Sequence, residues 1–313
     1  MEDLKPVARA QLGTVGSGNH YVDLFEDEDG YVWIGVHFGS RGLGHKTTTK
    51  ALAIAGATAG MEAPPALLDV NSDAGRAYLA GVELGGLYAY AGREWVVEKV
   101  RSIIGGSVNF SVHNHHNFVW REQHNGVDMY VVRKGATPAF PGQYGFVGGS
   151  MGDDAVILRG VDSEASKAAL YSTVHGAGRV MSRSKAIGGV ATVAQCTAEA
   201  CGTQVPWMDY EKARADAGLK QGAQFTLCGA HPQETMRKLK LRQQGAIRHG
   251  DWKAWVADRN VMLIGGGIDE APQAYRRLPD VLAAHAGTIE IIHRLRPFGV
   301  IMAGENEFDP FKD

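Results

Sequence analysis

Histidines set beside glycines are where this chain concentrates its reactive groups, with 12 of the first and 41 of the second in 313 residues. In QLGTVGSGNH, Gly13, Gly16 and Gly18 lead into Asn19 and His20. Such a turn can cradle a phosphate with backbone N–H groups, although it lacks the Lys-Ser/Thr ending of a P-loop. In VHFGSRG, His37 closes an apolar run and precedes a Gly-Ser-Arg-Gly turn. An imidazole there can ligate a metal or serve a structural hydrogen bond. SVHNHHNF crowds together His113, His115 and His116; in a strand the first two share a face and the third takes the other, so only a subset can meet one metal. HGAGRVMSR follows His175 with Gly176 and Gly178, which let backbone approach a nucleotide phosphate while Arg179 neutralises it.

Between the last two lies VVRKGATPAFPGQYGFVGGSMGDD, which combines Arg133 and Lys134 with Gly135, Gly142, Gly145, Gly148, Gly149, Gly152 and Ser150. That density describes a loop shaped around an anion better than it describes tight turns between strands. Taken together, the segments suit an enzyme handling a metal and a nucleotide. Imidazole ligands accept Mn, Fe, Zn, Ni or Cu, so donor type does not select the ion.

The elements that must position these groups mix strands and helices without regular alternation. The β-branched and aromatic run YVWIGVHF, residues 31–38, suits a buried strand, and residues 130–133 and 155–158 read as strands. Residues 46–60 and 74–100 read as helices separated by Pro64-Pro65, and 163–171 as a short helix. Residues 271–292 read as a helix followed by a strand. The run TMRKLKLRQQGAIRHGDWKAWV puts its charges on a helix, where a solvated face is favoured over an RNA-phosphate surface.

Lys plus Arg number 32 against 34 Asp plus Glu, a formal net charge of -2, so any polyanion site must be a local patch. Cys196, Cys201 and Cys228 are too few for a disulfide framework and suit a reducing compartment. Cys196 and Cys201 have a spacing that some zinc sites use, but no partner pair follows in register, and no structural zinc is expected. No apolar leader or membrane span is evident, so a cytoplasmic protein is expected.

Seven motifs stand in order: GSGNH, VHFGSRG, HHNFVWRE, RKGATPAFPGQYG, GGSMG, HGAGRVMSR and EAPQAYRRLPD. In that order they resemble the RtcB-type RNA ligases over residues 11–183 and again near Glu270. The resemblance implies an α+β fold of central mixed and antiparallel sheets flanked by helices. It divides the chain into a catalytic core at 1–185, an insertion at 186–265, and a return to the core at 266–313. It implies an RNA ligase that joins 3′-phosphate or 2′,3′-cyclic phosphate ends to 5′-hydroxyl ends, in tRNA splicing or RNA repair. GTP and manganese, two Mn2+ per complete site, are the implied cofactors, and RNA with broken ends is the implied partner.

Residue by residue, the resemblance makes His175 the nucleophile that takes GMP through a phosphoramidate bond. His20, His37 and His116 match manganese ligands, which leaves His113 and His115 in supporting roles. Asn19 matches a phosphate contact, Asp23 an acidic residue that reads the guanine edge, and Tyr275 an aromatic residue near the guanosine. Asn117, Gly149, Ser150, Met151, Gly176, Ala177 and Gly178 match nucleotide-binding positions. Arg41, Arg179 and Arg183 are the candidates for RNA phosphates, which guanidinium groups bind in bidentate fashion.

The chain departs from the family's pattern in three places. An Asp-x-Cys pair that supplies two further metal ligands has no match, which favours a second chain supplying them, or a truncated gene product, over an inactive relative. The family's C-terminal Lys-Gly is absent, and Lys312 is its one counterpart. The cysteines and basic cluster of the insertion are unassigned, with an RNA contact or a partner-docking surface as readings. Competing with ligation are a non-catalytic subunit that binds RNA ends or nucleotide and a metal-dependent cyclic phosphodiesterase.

Overall fold

A computed structural model describes residues 2–57, 66–220 and 223–304, and divides the chain into two compact units, Met1–Val180 with His249–Asp313, and Met181–Arg248. The larger unit is built on a mixed sheet in the order Val32–His37, Tyr21–Glu26, Ile289–Met302, Ala155–Gly160, Tyr144–Val147, with Met262–Ile264 added parallel to Ile289–Met302. Its α+β architecture is the expected one. Ile289–Met302 is the spine, pairing antiparallel with Ala155–Gly160 through residues 289–295 and with Tyr21–Glu26 through residues 296–302.

Apolar residues of Ala155–Gly160 face both ways, which is why the run is apolar throughout rather than alternating. Val156 and Leu158 pack with Val147, Val174, Leu278 and Leu282 on one side, whereas Ala155 and Ile157 pack with Phe25 and Leu295 on the other. A third cluster, Val22, Phe38 and Val96, ties the first hairpin to the longest helix.

That helix, Asp73–Ile104, starts where the Ser72 side chain accepts the Gly75 N–H at 3.0 Å and stops at Gly105, whose φ of 84° breaks the helical path. Its buried face carries Gly81, Gly85, Gly86 and Gly92. A Cβ on Gly86 would come within 2.6 Å of the Phe118 ring and 3.2 Å of His115, so this glycine sets how closely the helix approaches the histidine segment. The preceding helix is Arg41–Ile54, several residues earlier than expected, and Pro64-Pro65 lie outside the described residues.

Asn117–His124 and Val127–Lys134 form a hairpin closed by Asn125-Gly126, both at positive φ (52° and 77°), as a two-residue hairpin turn requires. Arg133, 2% exposed, makes a bidentate pair with Glu122 at 2.7 and 2.9 Å and donates to the Leu170 carbonyl at 2.8 Å. Glu122 also receives His124 Nε2 at 2.8 Å.

The smaller unit holds a three-stranded antiparallel sheet in the order Gln204–Pro206, Gly188–Cys196, Met236–Gln244, and the helices Arg183–Ile187 and Trp207–Asp216. The basic run expected on a helix is the strand Met236–Gln244, followed by a separate helix, His249–Asp258. Leu239 and Leu241 alternate with exposed Lys238, Lys240 and Arg242. That period of two is the strand signal, and it outweighs the helix-forming tendency of Lys, Arg and Gln. The compact unit Met181–Arg248 overlaps the stretch 186–265, whose Met262–Ile264 pairs in the sheet of the larger unit.

Candidate active site

Four strand ends deliver four imidazoles to one place. His20 immediately precedes Tyr21–Glu26, and His37 is the last residue of the strand beside it, opposite Tyr21 in register. His116 immediately precedes Asn117–His124, and its carbonyl accepts the Gly135 N–H at 2.7 Å. His175 immediately follows Ser172–Val174, which pairs with Ala136–Pro138 and so sets His175 beside Gly135. The ring centroids of His20 and His37 are 6.3 Å apart, those of His37 and His116 4.8 Å, and those of His116 and His175 4.6 Å.

Three of the imidazoles, those of His37, His116 and His175, have their pKa values lowered. Burial, then the neighbouring imidazoles of His116, His20 and His175, keep the His37 pKa well below the ordinary histidine value. Burial, then His175 and Arg93, bring His116 down to about 3. Burial also lowers His175, against a hydrogen bond in which Nδ1–H donates to the Gly135 carbonyl at 2.6 Å. The carbonyl fixes the tautomer, so Nε2 carries the lone pair.

His113 and His115 do not face this group. The segment that holds them is irregular rather than a strand, and both rings stack on Tyr90, with centroids 3.7 and 4.0 Å away. His113 Nε2 accepts Arg93 Nε–H at 2.9 Å, while Arg93 Nη1 donates to the Phe38 carbonyl at 2.7 Å. Burial lowers both histidines to about 4.

The glycine turns meet next to the histidines. Gly148 bridges Gly176 through backbone pairing, which joins the GGSMG and HGAG segments. A Cβ on Gly148 would fall 2.2 Å from the Tyr21 hydroxyl, so only glycine permits this approach. Ser150 Oγ donates to Asp153 Oδ2 at 2.7 Å, and Asp153 pairs with Arg277 at 2.7 Å. Met151 is buried, with its sulfur accepting the Trp252 indole N–H at 3.0 Å, and Ala177 is also buried. Gly178 offers its carbonyl to the Arg276 N–H at 2.9 Å.

Arg179 Nη1 donates to Glu270 at 3.0 Å and to the Tyr275 hydroxyl oxygen at 3.1 Å, Nη2 donates to the Asp269 carbonyl at 2.6 Å, and the guanidinium lies 5.0 Å from the Tyr275 ring centroid. Tyr275 in turn donates to Glu270, and burial, with the Glu270 charge, raises its pKa. Asp23 is 7% exposed, its Oδ1 has no hydrogen-bond partner, and burial raises its pKa well above the carboxylate range. Asn19 is exposed, and Asn117 Oδ1 accepts the Gly135 N–H at 3.0 Å. Arg41 is buried at φ 50°, with Nε 3.4 Å from Thr14 Oγ1. Arg183 begins a helix of the smaller unit, and Lys312 lies outside the described residues.

A cleft of about 970 Å³ opens beside this group, with His37, His116 and His175 in its wall and Trp33, Phe110 and Phe146 further along. Two participants went unnoticed in the sequence. One is Tyr21, whose ring stacks on His37 at 5.2 Å and whose hydroxyl, raised by burial and then by the charges of Asp23 and Tyr275, lies against Gly148. Its signal was available, because Tyr21 and Asp23 are two apart in a strand and share a face. The other is the Gly135 carbonyl, a backbone atom that no side-chain pattern announces.

The site as a whole can present a neutral nucleophile beside neutral metal-binding donors and a glycine-lined approach. Comparison with known proteins agrees with the motif order. The family model described as tRNA-splicing ligase RtcB matches residues 2–216. The chain is similar to the RNA-splicing ligase RtcB of Escherichia coli K12, 38% identical over 192 residues, covering 56% of this chain and 46% of that protein. It is 34% identical over 224 residues to the tRNA-splicing ligase RtcB of Archaeoglobus fulgidus, covering 57% and 46%. With that of Methanocaldococcus jannaschii it shares 28% identity over 348 aligned positions, covering 95% of this chain and 30% of that protein. The chain thus spans about half the length, or less, of these relatives.

Proposed function

This chain belongs to the RtcB family, and on that premise we propose that it is an RNA ligase joining 3′-phosphate or 2′,3′-cyclic phosphate ends to 5′-hydroxyl ends, in tRNA splicing or RNA repair. The observation that carries the reading is the orientation of His175, whose Nδ1–H is bound to the Gly135 carbonyl at 2.6 Å and whose Nε2 therefore keeps its lone pair. The lowered pKa keeps the ring uncharged at neutral pH. In the first step Nε2 attacks the α-phosphorus of GTP, an N–P bond forms, and pyrophosphate leaves with the electron pair of the broken P–O bond. GMP then passes to an oxygen of the RNA 3′-phosphate, which frees the imidazole. Finally the 5′-hydroxyl oxygen attacks that phosphorus, loses its proton and expels GMP. A cyclic phosphate end is opened by water beforehand.

His20, His37 and His116 would hold manganese, and the donors suit it, because burial leaves the lone pairs of His37 and His116 without competition from protons at neutral pH. The ion supplies Lewis-acid neutralisation of phosphate oxygens. The buried, unpartnered Oδ1 of Asp23 suits the N–H edge of guanine, whose donors would restore the ionised carboxylate. Tyr275 would flank the guanosine, and Asn19, Asn117, Gly149, Ser150, Met151, Gly176, Ala177 and Gly178 would line the phosphates. Arg41, Arg179 and Arg183 are proposed for RNA phosphates, and each already has a partner within the protein. The Asp-x-Cys pair, and a second chain carrying it, have no support among the described residues, and the ligand set proposed for this chain is the three imidazoles. A cytoplasmic location belongs to the same reading; among the described residues no helix is long and apolar enough to cross a membrane.

Incubation with labelled GTP and manganese should give an acid-labile covalent GMP adduct that His175→Ala lacks. Failure of the full chain to form the adduct, alone or in the presence of broken RNA, would end the ligase reading.

A further inference from the structure

The smaller unit, Met181–Arg248, contains all three cysteines, and the larger unit's chemistry uses none of them. Cys196 is the last residue of Gly188–Cys196, and Cys201 lies in the short loop leading to Gln204–Pro206. The partner pair that seemed missing is Cys228 with His231, set just before Met236–Gln244 in a C-x2-H spacing that metal-binding turns use. Gly188–Cys196 pairs with both neighbouring strands, and Cys196 stands opposite Met236, so both loops emerge at one end of the sheet. Each is a tight turn: Cys201 N–H donates to the Ala198 carbonyl at 3.2 Å, and His231 N–H to the Cys228 carbonyl at 3.2 Å. Thr197 clips them together, its N–H to the Thr235 carbonyl at 3.0 Å and its hydroxyl to Glu234 at 2.9 Å.

One ligand atom from each of Cys196, Cys201, Cys228 and His231 lies within 4.8 Å of every other. Cys201 Sγ and Cys228 Sγ are 3.7 Å apart, Cys228 Sγ and His231 Nδ1 3.5 Å, and Cys196 Sγ and His231 Nδ1 4.0 Å. A tetrahedral ion with bonds of about 2.3 Å to sulfur and about 2.0 Å to nitrogen has S···S edges of roughly 3.8 Å and S···N edges of roughly 3.5 Å. The observed spacings are close to those edges. A disulfide needs a sulfur separation of about 2.0 Å, and Cys201 and Cys228 are far outside it. The Thr203 hydroxyl sits 3.4 Å from both of these sulfurs, where it can donate to them once they are thiolates.

The unit has reason to need such a tie. Its buried apolar cluster consists of Ala194, Tyr210 and Met236, backed by partly buried Val205, Trp207 and Phe225. A core of that size rarely holds a small unit together without a metal, disulfides or a partner. We propose that Cys196, Cys201, Cys228 and His231 bind one zinc ion in a closed, four-coordinate structural site that fixes both loops at the end of this sheet. Thiolates with one imidazole select zinc over manganese, which prefers oxygen-rich sites. The site is therefore distinct in donor chemistry from the three imidazoles of the larger unit.

Metal analysis of the full chain, purified under reducing conditions and dialysed without chelator, should find one zinc per chain, released by a thiol-modifying mercurial. Replacement by Co2+ should give intense tetrahedral d–d bands together with a near-ultraviolet thiolate-to-cobalt charge-transfer band, and the latter cannot come from an ion on the three imidazoles. Cys228→Ser should lose both, whereas His231→Cys should keep the ion with a stronger charge-transfer band. The proposal is overturned if the wild-type chain neither retains zinc nor shows the tetrahedral thiolate cobalt spectrum, or if mass analysis finds Cys201 joined to Cys228. Both of those readouts use the wild-type chain, so a misfolded variant cannot obscure the result.

Discussion

Among the described residues, the two clusters of side chains proposed to bind metal are built in opposite ways. In the larger unit the imidazoles of His20, His37, His116 and His175 come from four separate strand ends, with the rings of the last three stacked in turn and a cleft of about 970 Å³ alongside. In the smaller unit the four ligand atoms come from two adjoining tight turns and close on a single point. An open group of neutral donors leaves room for substrate, whereas a closed tetrahedron leaves none. The difference teaches that the count of potential ligands does not separate a reactive site from a structural one; the number of chain segments that meet there, and the space beside them, do.

Crossed substitutions break the comparison most directly. His175→Ala should abolish the GMP adduct and leave zinc content unchanged, as read by label incorporation and metal analysis. Cys201→Ser should remove the zinc and raise hydrogen exchange within residues 181–248, while exchange in the long Asp73–Ile104 helix stays at its wild-type level. If exchange rises equally in both, the closed site is not local to its unit.

Next in size is the buried pair behind the open site. Glu122→Ala would leave the Arg133 guanidinium, 2% exposed, without its carboxylate. Loss of one partner of a buried pair costs about 3–5 kcal/mol. The midpoint of denaturant unfolding should fall accordingly, with no zinc lost.

A pH series probes His113, His115 and His116, whose pKa values are held down by burial, to about 4 for the first two and to about 3 for the third. Unfolded histidines take up protons near pH 6.5, which the folded chain resists, so their contribution is complete above about pH 6.5. It is lost progressively as pH falls from there toward about 4, and His116 extends the loss to about 3. Chemical denaturation at successive pH values should show stability flat above neutrality and falling on the acid side. A flat profile down to pH 4 would mean that these rings are not buried as neutral groups. The smallest effect is Ser72→Ala, which removes the cap on the Gly75 N–H and should cost about 1 kcal/mol.

Much of the fold was legible because its signals are local. The apolar run at 155–158 and the helical spacing at 74–100 each state their element within a few residues, and the structure bears out a strand and a helix there. The basic segment was misread because charge drew attention away from the alternation of Leu239 and Leu241 with Lys238, Lys240 and Arg242. At the candidate site, His20, His37 and His175 announced themselves by type and by their glycine neighbours, whereas His116 was set apart from His113 and His115 only by the resemblance of its motif. Tyr21 did not announce itself, since an aromatic residue in a strand is ordinarily core, and its role rests on what Gly148 leaves open. Cys228 and His231 were present in the sequence with ordinary spacing, but their relation to Cys196 depends on strand register.

By itself, then, the sequence determined the inventory: which residues can bind, donate or attack, the periods that make strands and helices, and the ordered motifs that place the chain in its family. Only the tertiary structure decided which of them meet. The Gly135 carbonyl that orients His175, the Gly148–Gly176 bridge and the convergence of two cysteine turns all join positions distant along the chain. Such contacts follow from strand pairing and core packing, and their information is spread over the residues that bring the segments together rather than held in those that touch.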